Sequence, residues 1–201
     1  MAGDPMRLLA VLLMVLLISS CALPSYEVQK APMRRDKAVV FDIDGTLTPT
    51  PMAIFTARED AAEAVRAYAD DGYKIIYLSA RVRQLQSGIP GWLEAHHFPE
   101  GSIHVPQNPE DSSDPAAFKK RILDTYKARG WRLVAGFGDS STDFQAYRDA
   151  GLQKNRIFAL KHEGETSCQP GTWARCLNSW SEYLKEVYPG TGVRKSRWHG
   201  E

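Results

Sequence analysis

Four apolar runs of strand length recur along the chain, each followed by a stretch with helical patterning. They are Lys37 to Phe41 (KAVVF), Tyr73 to Leu78 (YKIIYL), Trp131 to Phe137 (WRLVAGF) and Arg156 to Leu160 (RIFAL). Near-continuous apolar runs predict strands buried on both faces, as in parallel sheets. Between the first two, Glu59 to Asp71 sets Ala61, Ala62, Val65 and Tyr68 at helical spacing, and Gly72 ends it. Arg81 to Ser87 and Gly91 to His97 read as two short helices broken at Gly88 and Pro90, and Ser102 to Val105 as a short strand. Asp114-Pro115 is a strong helix start, with Phe118, Ile122 and Tyr126 on one face and a stop at Gly130. A further helix is expected from Thr142 to Ala150. A last helix is expected to carry Trp173, Leu177, Trp180 and Leu184 on one core-facing side. Strands separated by helices predict an α/β protein, a parallel sheet with helices on both faces.

The first twenty residues are a different material. Arg7 precedes an apolar run from Leu8 to Ile18, and small residues then lead to Cys21. This is the pattern of a secretory signal, too short for a membrane span of about 20 residues. Ile18-Ser19-Ser20-Cys21 also resembles a bacterial lipoprotein signal, which would make Cys21 a lipidated first residue of an exported, membrane-anchored protein of the cell envelope. An ordinary cleaved signal with an incidental Cys is the alternative. Residues 21–36 carry prolines and no periodicity and are expected to be a tether. Residues 37–190 would form the folded domain, and 191–201 a basic tail with Arg194, Lys195 and Arg197. Two further cysteines, Cys168 and Cys176, lie close in sequence. In an oxidising compartment they are expected to pair, with two separate buried thiols as the alternative. With a formal net charge of +1, bulk electrostatics exclude a nucleic acid polymer as the expected partner.

Chemistry-bearing residues collect where the strands end. The first run continues into DIDGT, so Asp42 and Asp44 lie two apart and on one face of an extended strand. The second ends in LSAR, placing Ser79 and Arg81 just past it, and the third in GDSSTD, with Asp139 and Asp143. Lys119 and Lys120 sit early in the helix that starts at Pro115. In open α/β sheets ligands bind beyond the carboxyl ends of the strands. Each group has an ordinary reading as a turn residue, a solvated charge or a first-turn acid; their convergence on one end of the sheet is the signal.

This set and its order resemble the haloacid dehalogenase (HAD) superfamily of mostly phosphatases. DIDGT is similar to its first motif, YLSAR to its second, the Lys of FKKR to its third and GDSSTD to its fourth. The wording of DIDGTLT, LSAR, FKKRILDTY and AGFGDSSTDFQAYRDAGL further resembles the lipin-type phosphatidate phosphatase domain, in which the third-motif Lys follows a Phe, selecting Lys119. The lipin group often has Asn where this chain has Asp139, so the fourth motif follows the wider superfamily. The resemblance implies a three-layer, Rossmann-like sheet with a small or absent cap.

The resemblance also implies roles. Asp42 would be the nucleophile and Asp44 the acid/base. Thr46, Ser79, Arg81 and Lys119 would hold phosphate, and Asp42, Asp44, Asp139 and Asp143 would hold Mg²⁺. The implied activity is hydrolysis of a small-molecule or lipid phosphomonoester, phosphatidate among them. An envelope acid phosphatase or nucleotidase is an alternative, as is a non-catalytic module binding acidic phospholipid. Ile89, Trp92, Leu93, Phe98 and Ile103, between Gly88 and Pro115, are candidates either to meet acyl chains or to fill the core.

Overall fold

The computed structural model describes residues 22–187. Cys21, with the signal segment, and the tail at 191–201 lie outside the described residues.

Strands β1 (Lys37–Phe41), β2 (Lys74–Leu78), β3 (Ser102–His104), β4 (Arg132–Gly138), β5 (Ile157–Leu160) and β6 (Arg175–Leu177) form one sheet in the order β3-β2-β1-β4-β5-β6. Every pairing is parallel. The connections carry α1 (Ala61–Asp70), α2 (Ile89–Ala95), α3 (Pro109–Ser113), α4 (Pro115–Ala128) and α5 (Ser141–Asp149), and α6 (Trp180–Glu182) runs on into a π-turn over Tyr183–Val187. This is the three-layer, Rossmann-like α/β arrangement expected.

Side-chain alternation on β1 explains why both faces are covered. Val39 and Phe41 enter one apolar cluster with Val65 and Tyr68 of α1 and Trp92 and Leu93 of α2. Ala38 and Val40 enter the other, with Phe118, Leu123 and Tyr126 of α4 and Phe144 and Tyr147 of α5. On the first face Phe41, Phe137 and Phe158 stack across three adjacent strands at centroid separations of 5.0 Å. Fully burying one such ring contributes roughly 1.5–3 kcal/mol, so this stack anchors the sheet centre from which the carboxyl-end loops leave.

The helix starts follow local chemistry. The Asp114 carboxylate accepts from the Ala117 N–H at 2.9 Å, and Ser140 and Asp143 form a reciprocal capping box at α5. Gly72 and Gly130 end α1 and α4 at φ +79° and +89°. Pro90 does not break a helix; it lies in the first turn of α2, where its missing N–H has no helical partner to lose, and a 3-10 turn over Arg83–Gly88 leads into it. Ile89, Trp92, Leu93 and Phe98 are buried and Ile103 packs against them, so this segment fills the core.

Two further expectations are corrected. The last helix proposed for Trp173 to Leu184 is a strand followed by one short helix: Leu177 lies in β6 and Trp180 opens α6. The spacing imitated a helix face, yet Trp173 packs on one side of the sheet and Leu177, Trp180 and Leu184 on the other. Cys168 and Cys176, the latter in β6, are joined by a disulfide across the loop that precedes that strand, as expected. Residues 22–36 have no helix or strand, as expected of a tether, but they do not hang free. Val28 is buried, the Ala31 N–H donates to the Arg129 carbonyl at 2.8 Å, and the Trp131 indole N–H donates to the Gln29 carbonyl at 2.8 Å.

Candidate active site

Strand order reverses between β1 and β4, whose connections leave toward opposite edges of the sheet. That switch point leaves a crevice at the carboxyl ends of the strands. Phe41 pairs with Phe137, and the Asp42 N–H extends the ladder to the Phe137 carbonyl at 2.9 Å. Asp42 and Asp139 therefore emerge side by side. Asp143 joins them because its helix begins directly after β4, and Gly138 admits it: a Cβ there would lie 2.5 Å from the Asp143 Cβ. One carboxylate oxygen from each of Asp42, Asp139 and Asp143 lies within 4.8 Å of the others, and all three residues are buried.

Charge in this cluster is unbalanced. Lys119, buried in α4, donates to Asp42 Oδ1 and Asp143 Oδ1 at 2.5 Å each. Burial opposes its charge, but Asp143 and Asp42 outweigh that and push the ammonium above the ordinary lysine range. Its neighbour Lys120 pairs with Asp124 on the surface, so Lys119 alone serves the cluster. Burial pushes the Asp42 carboxyl well up, with Lys119 pulling the other way. Asp139 is also raised, by burial and then by Asp143, against the hydrogen bond from His162. Asp42 Oδ2 is buried without a hydrogen-bond partner. Three buried carboxylates, each with an oxygen within ligand reach of the others, make a donor set that fits a hard divalent cation such as Mg²⁺.

The DIDGT loop turns tightly beneath this cluster. Leu47 and Thr48 N–H groups donate back to the Ile43 carbonyl at 2.9 and 3.0 Å, and the Gly45 N–H donates to Thr48 Oγ1 at 2.7 Å. Gly45 takes φ +86°, and a Cβ on it would meet Asp139 Oδ2 at 2.4 Å. Glycine is required there by both backbone and space. Opposite, Ser79 donates to Asp44 Oδ2 at 2.7 Å, and Arg81 forks onto Asp44 with Nη2 at 2.6 Å and Nε at 3.0 Å from Oδ1. A cavity of about 500 Å³ opens over Asp42, Asp44, Arg81, Lys119, Asp139 and Asp143, walled by Pro51, Met52, Ile54, Val82 and Leu85.

A model of the family described as "PITM 1-3, LNS2 domain" matches residues 39–161. The chain belongs to the LNS2 family. It is 30% identical over 159 residues to membrane-associated phosphatidylinositol transfer protein 1 of Homo sapiens, a match covering 77% of this chain and 12% of that protein. It is 28% identical over 158 residues to human phosphatidate phosphatase LPIN1, covering 65% of this chain and 17% of that protein. The chain thus corresponds to a small part of these curated relatives. Among solved structures, a HAD-like phosphatase from Mesorhizobium loti superposes with a TM-score of 0.53 at 18% identity, covering 79% of this chain and 87% of that one, a likeness of fold.

In this LNS2 domain the expected residues converge, although two of them, Thr46 and Ser79, do not line the cavity. Thr46 does not line the cavity; its hydroxyl donates to Asp139 Oδ1 at 3.1 Å, so it braces an acid rather than facing a phosphate. Ser79 likewise spends its proton on Asp44 in this state. Two residues of the LNS2 site escaped sequence reasoning. Arg58 donates to the carbonyls of Gly45 and Lys161 at 2.8 Å and of Thr48 and Pro49 at 3.0 Å, tying the first loop to the end of β5. His162, two residues beyond β5, contacts Asp139 Oδ2 through Nε2. Neither has a sequence signal, because Arg58 acts on main-chain carbonyls and His162 is brought to Asp139 only by strand pairing.

Proposed function

We propose that the chain is a Mg²⁺-dependent phosphomonoester hydrolase working through an aspartyl-phosphate. The observation that carries this is Asp42: a buried carboxylate at the switch point, with Lys119 on one oxygen and no hydrogen-bond partner on the other. That oxygen would attack phosphorus while the bond to the leaving oxygen breaks. Asp44 would give the leaving oxygen its proton, then take one from the water that attacks phosphorus and releases Asp42. Both Asp44 oxygens are engaged here by Ser79 and Arg81. An incoming phosphoryl group supplies competing oxygens for those same donors, and their transfer to it would free Asp44 for its proton. Lys119 would keep Asp42 and Asp143 together as negative charge builds. A Mg²⁺ held by Asp42, Asp139, Asp143 and the Asp44 carbonyl would neutralise the phosphoryl oxygens and permit attack by an anion.

A second, finer reading concerns substrate. Met52, Val82 and Leu85, at the cavity wall, are 88%, 57% and 43% exposed and together give the charged site an apolar rim. A phosphate seat below an apolar mouth suits an amphiphilic phosphomonoester such as phosphatidate, as the name of the lipin relative suggests. A lipid anchor at Cys21 in the cell envelope would hold the domain near such substrates.

The test uses the full chain. It should release phosphate from an aryl phosphate, lose activity in chelator and regain it with Mg²⁺. Asp42→Asn should lower turnover by at least about a thousandfold. Phosphatidate in mixed micelles should be hydrolysed, and a hundredfold preference for nucleoside monophosphates would replace the lipid reading by a nucleotidase. Binding of phosphatidate vesicles with no phosphate release from any ester would make the domain a binding module.

A further inference from the structure

Asp139 differs from the other two acids of the cluster in its partners. Asp42 and Asp143 share Lys119, whereas Asp139 is held by the Thr46 hydroxyl on Oδ1 and the His162 ring on Oδ2. In the ionised form that a cation would require, the Asp139 carboxylate only accepts, so Nε2 of His162 then has to be the donor in this contact. The pair needs room, and the chain supplies it at Gly45, where a Cβ would stand 2.4 Å from Asp139 Oδ2 and 3.0 Å from His162 Nε2. The His162 backbone is itself fixed. Arg58 donates to the Lys161 carbonyl and to three carbonyls of the first loop, and the Lys161 N–H donates to the Leu177 carbonyl at 3.0 Å. Nε and Nη2 of this one half-buried guanidinium, with three N–H groups between them, are shared among four carbonyls of two loops.

We propose that His162 is a positioning residue that holds the Asp139 carboxylate in the orientation in which it can ligate a divalent cation, with Arg58 holding His162 through the Lys161 carbonyl. The inference rests on the cation-dependent part of the proposed function. A ligating carboxylate left without outer hydrogen bonds can rotate and must be reordered on binding, and loss of such a partner typically weakens metal affinity by about 10–100-fold.

The experiment measures binding of Mn²⁺ alone to the full chain by calorimetry, which does not depend on turnover. His162→Phe keeps ring volume and removes the donor; His162→Gln keeps a donor. The expected result is Mn²⁺ binding about 10–100-fold weaker in His162→Phe and within a few-fold of wild type in His162→Gln. Half-maximal phosphate release should need correspondingly more Mg²⁺ in His162→Phe, with the rate recovering at saturation. A merely structural role would lower the unfolding midpoint and the maximal rate without moving Mn²⁺ affinity, and that result overturns the proposal. Equal loss in the Phe and Gln variants, or no Mn²⁺ binding by the wild type, does the same. If the Phe variant fails to fold, Arg58→Lys, which cannot reach all four carbonyls, should show the weakened affinity instead; unchanged affinity there overturns it. Wild-type Mn²⁺ binding with the expected variant pattern but no phosphate release would leave His162's role standing and remove the hydrolase.

Discussion

Two places along the carboxyl ends of this sheet, one at its centre and one at its β3 edge, bury ionisable groups in opposite ways. At the β1–β4 switch point, Asp42, Asp139 and Asp143 are buried around a single lysine, and one carboxylate oxygen has no partner. At the β3 edge, where the N-terminal segment lies, His104 is as deeply buried but is partnered and neutral. Its Nε2 meets the Tyr126 hydroxyl at 2.9 Å, and the Tyr26 ring packs edge-on at 5.4 Å. Burial pushes the His104 imidazole down to about 4, with Lys74 adding to it. Where charge serves no chemistry the fold neutralises it; where charge is concentrated without neutralisation, the fold bears a cost that a ligand can relieve.

The sharpest way to break this contrast is at Gly45. Gly45→Ala would force a methyl against Asp139 and His162 at a φ that alanine adopts with strain. Phosphate release should fall by about a hundredfold, in line with the sensitivity of reaction geometry to displacements of about 1 Å. Stability should drop by about 1–3 kcal/mol in a denaturant titration. Wild-type activity in this variant would mean that the close approach of the loop to Asp139 is irrelevant to function.

Next in size is the sign of a stability change. Because burial raises the Asp42 carboxyl, its charged form costs the folded state free energy near neutral pH. Asp42→Asn should therefore stabilise the metal-free protein, by about 1–2 kcal/mol in urea with chelator present, while abolishing turnover. A destabilised Asn variant would show instead that the Lys119 bond outweighs burial.

The same contrast separates what was legible in the sequence from what was not. The central strands were legible because continuous apolar runs such as VVF and KIIYL have few other uses, and the acids because strand ends place them together. Lys119 was distinguished from Lys120 by resemblance, and geometry agrees: one is buried between carboxylates, the other on the surface. β6 was not legible, since Trp173, Leu177, Trp180 and Leu184 have helical spacing although they serve two faces of the sheet. The packed N-terminal segment was hidden because it is held by main-chain carbonyls and one buried valine, which leave no periodic trace. Arg58 and His162 were hidden for the related reason that their partners are set by tertiary approach. The apolar mouth was missed because Met52, in the short loop run PMAIF, and Val82, between two arginines, have no periodic partner and matter only once folding brings them to one rim.

The smallest expected effect tests the neutral region. The unfolded-state His104 titrates near 6.5 and the folded one near 4, so between these values the unfolded chain binds the extra proton. Its contribution to stability is thus fully present above about pH 6.5 and is withdrawn as pH falls toward 4. By pH 5 the loss should be on the order of 1 kcal/mol, after allowing for relaxation around the charged ring. Replacing the ring removes the titration, so His104→Gln should lose less stability than wild type between pH 7 and pH 5, even if it starts lower for want of the ring's packing. Urea midpoints measured across that range in chelator keep the acid cluster free of metal in both proteins, so the difference of slopes isolates His104. Parallel slopes would mean that His104 charges freely in the folded state. The N-terminal segment would then be a loose cover through which water reaches the ring, and the centre and the β3 edge of the sheet would differ only in which charges they bury.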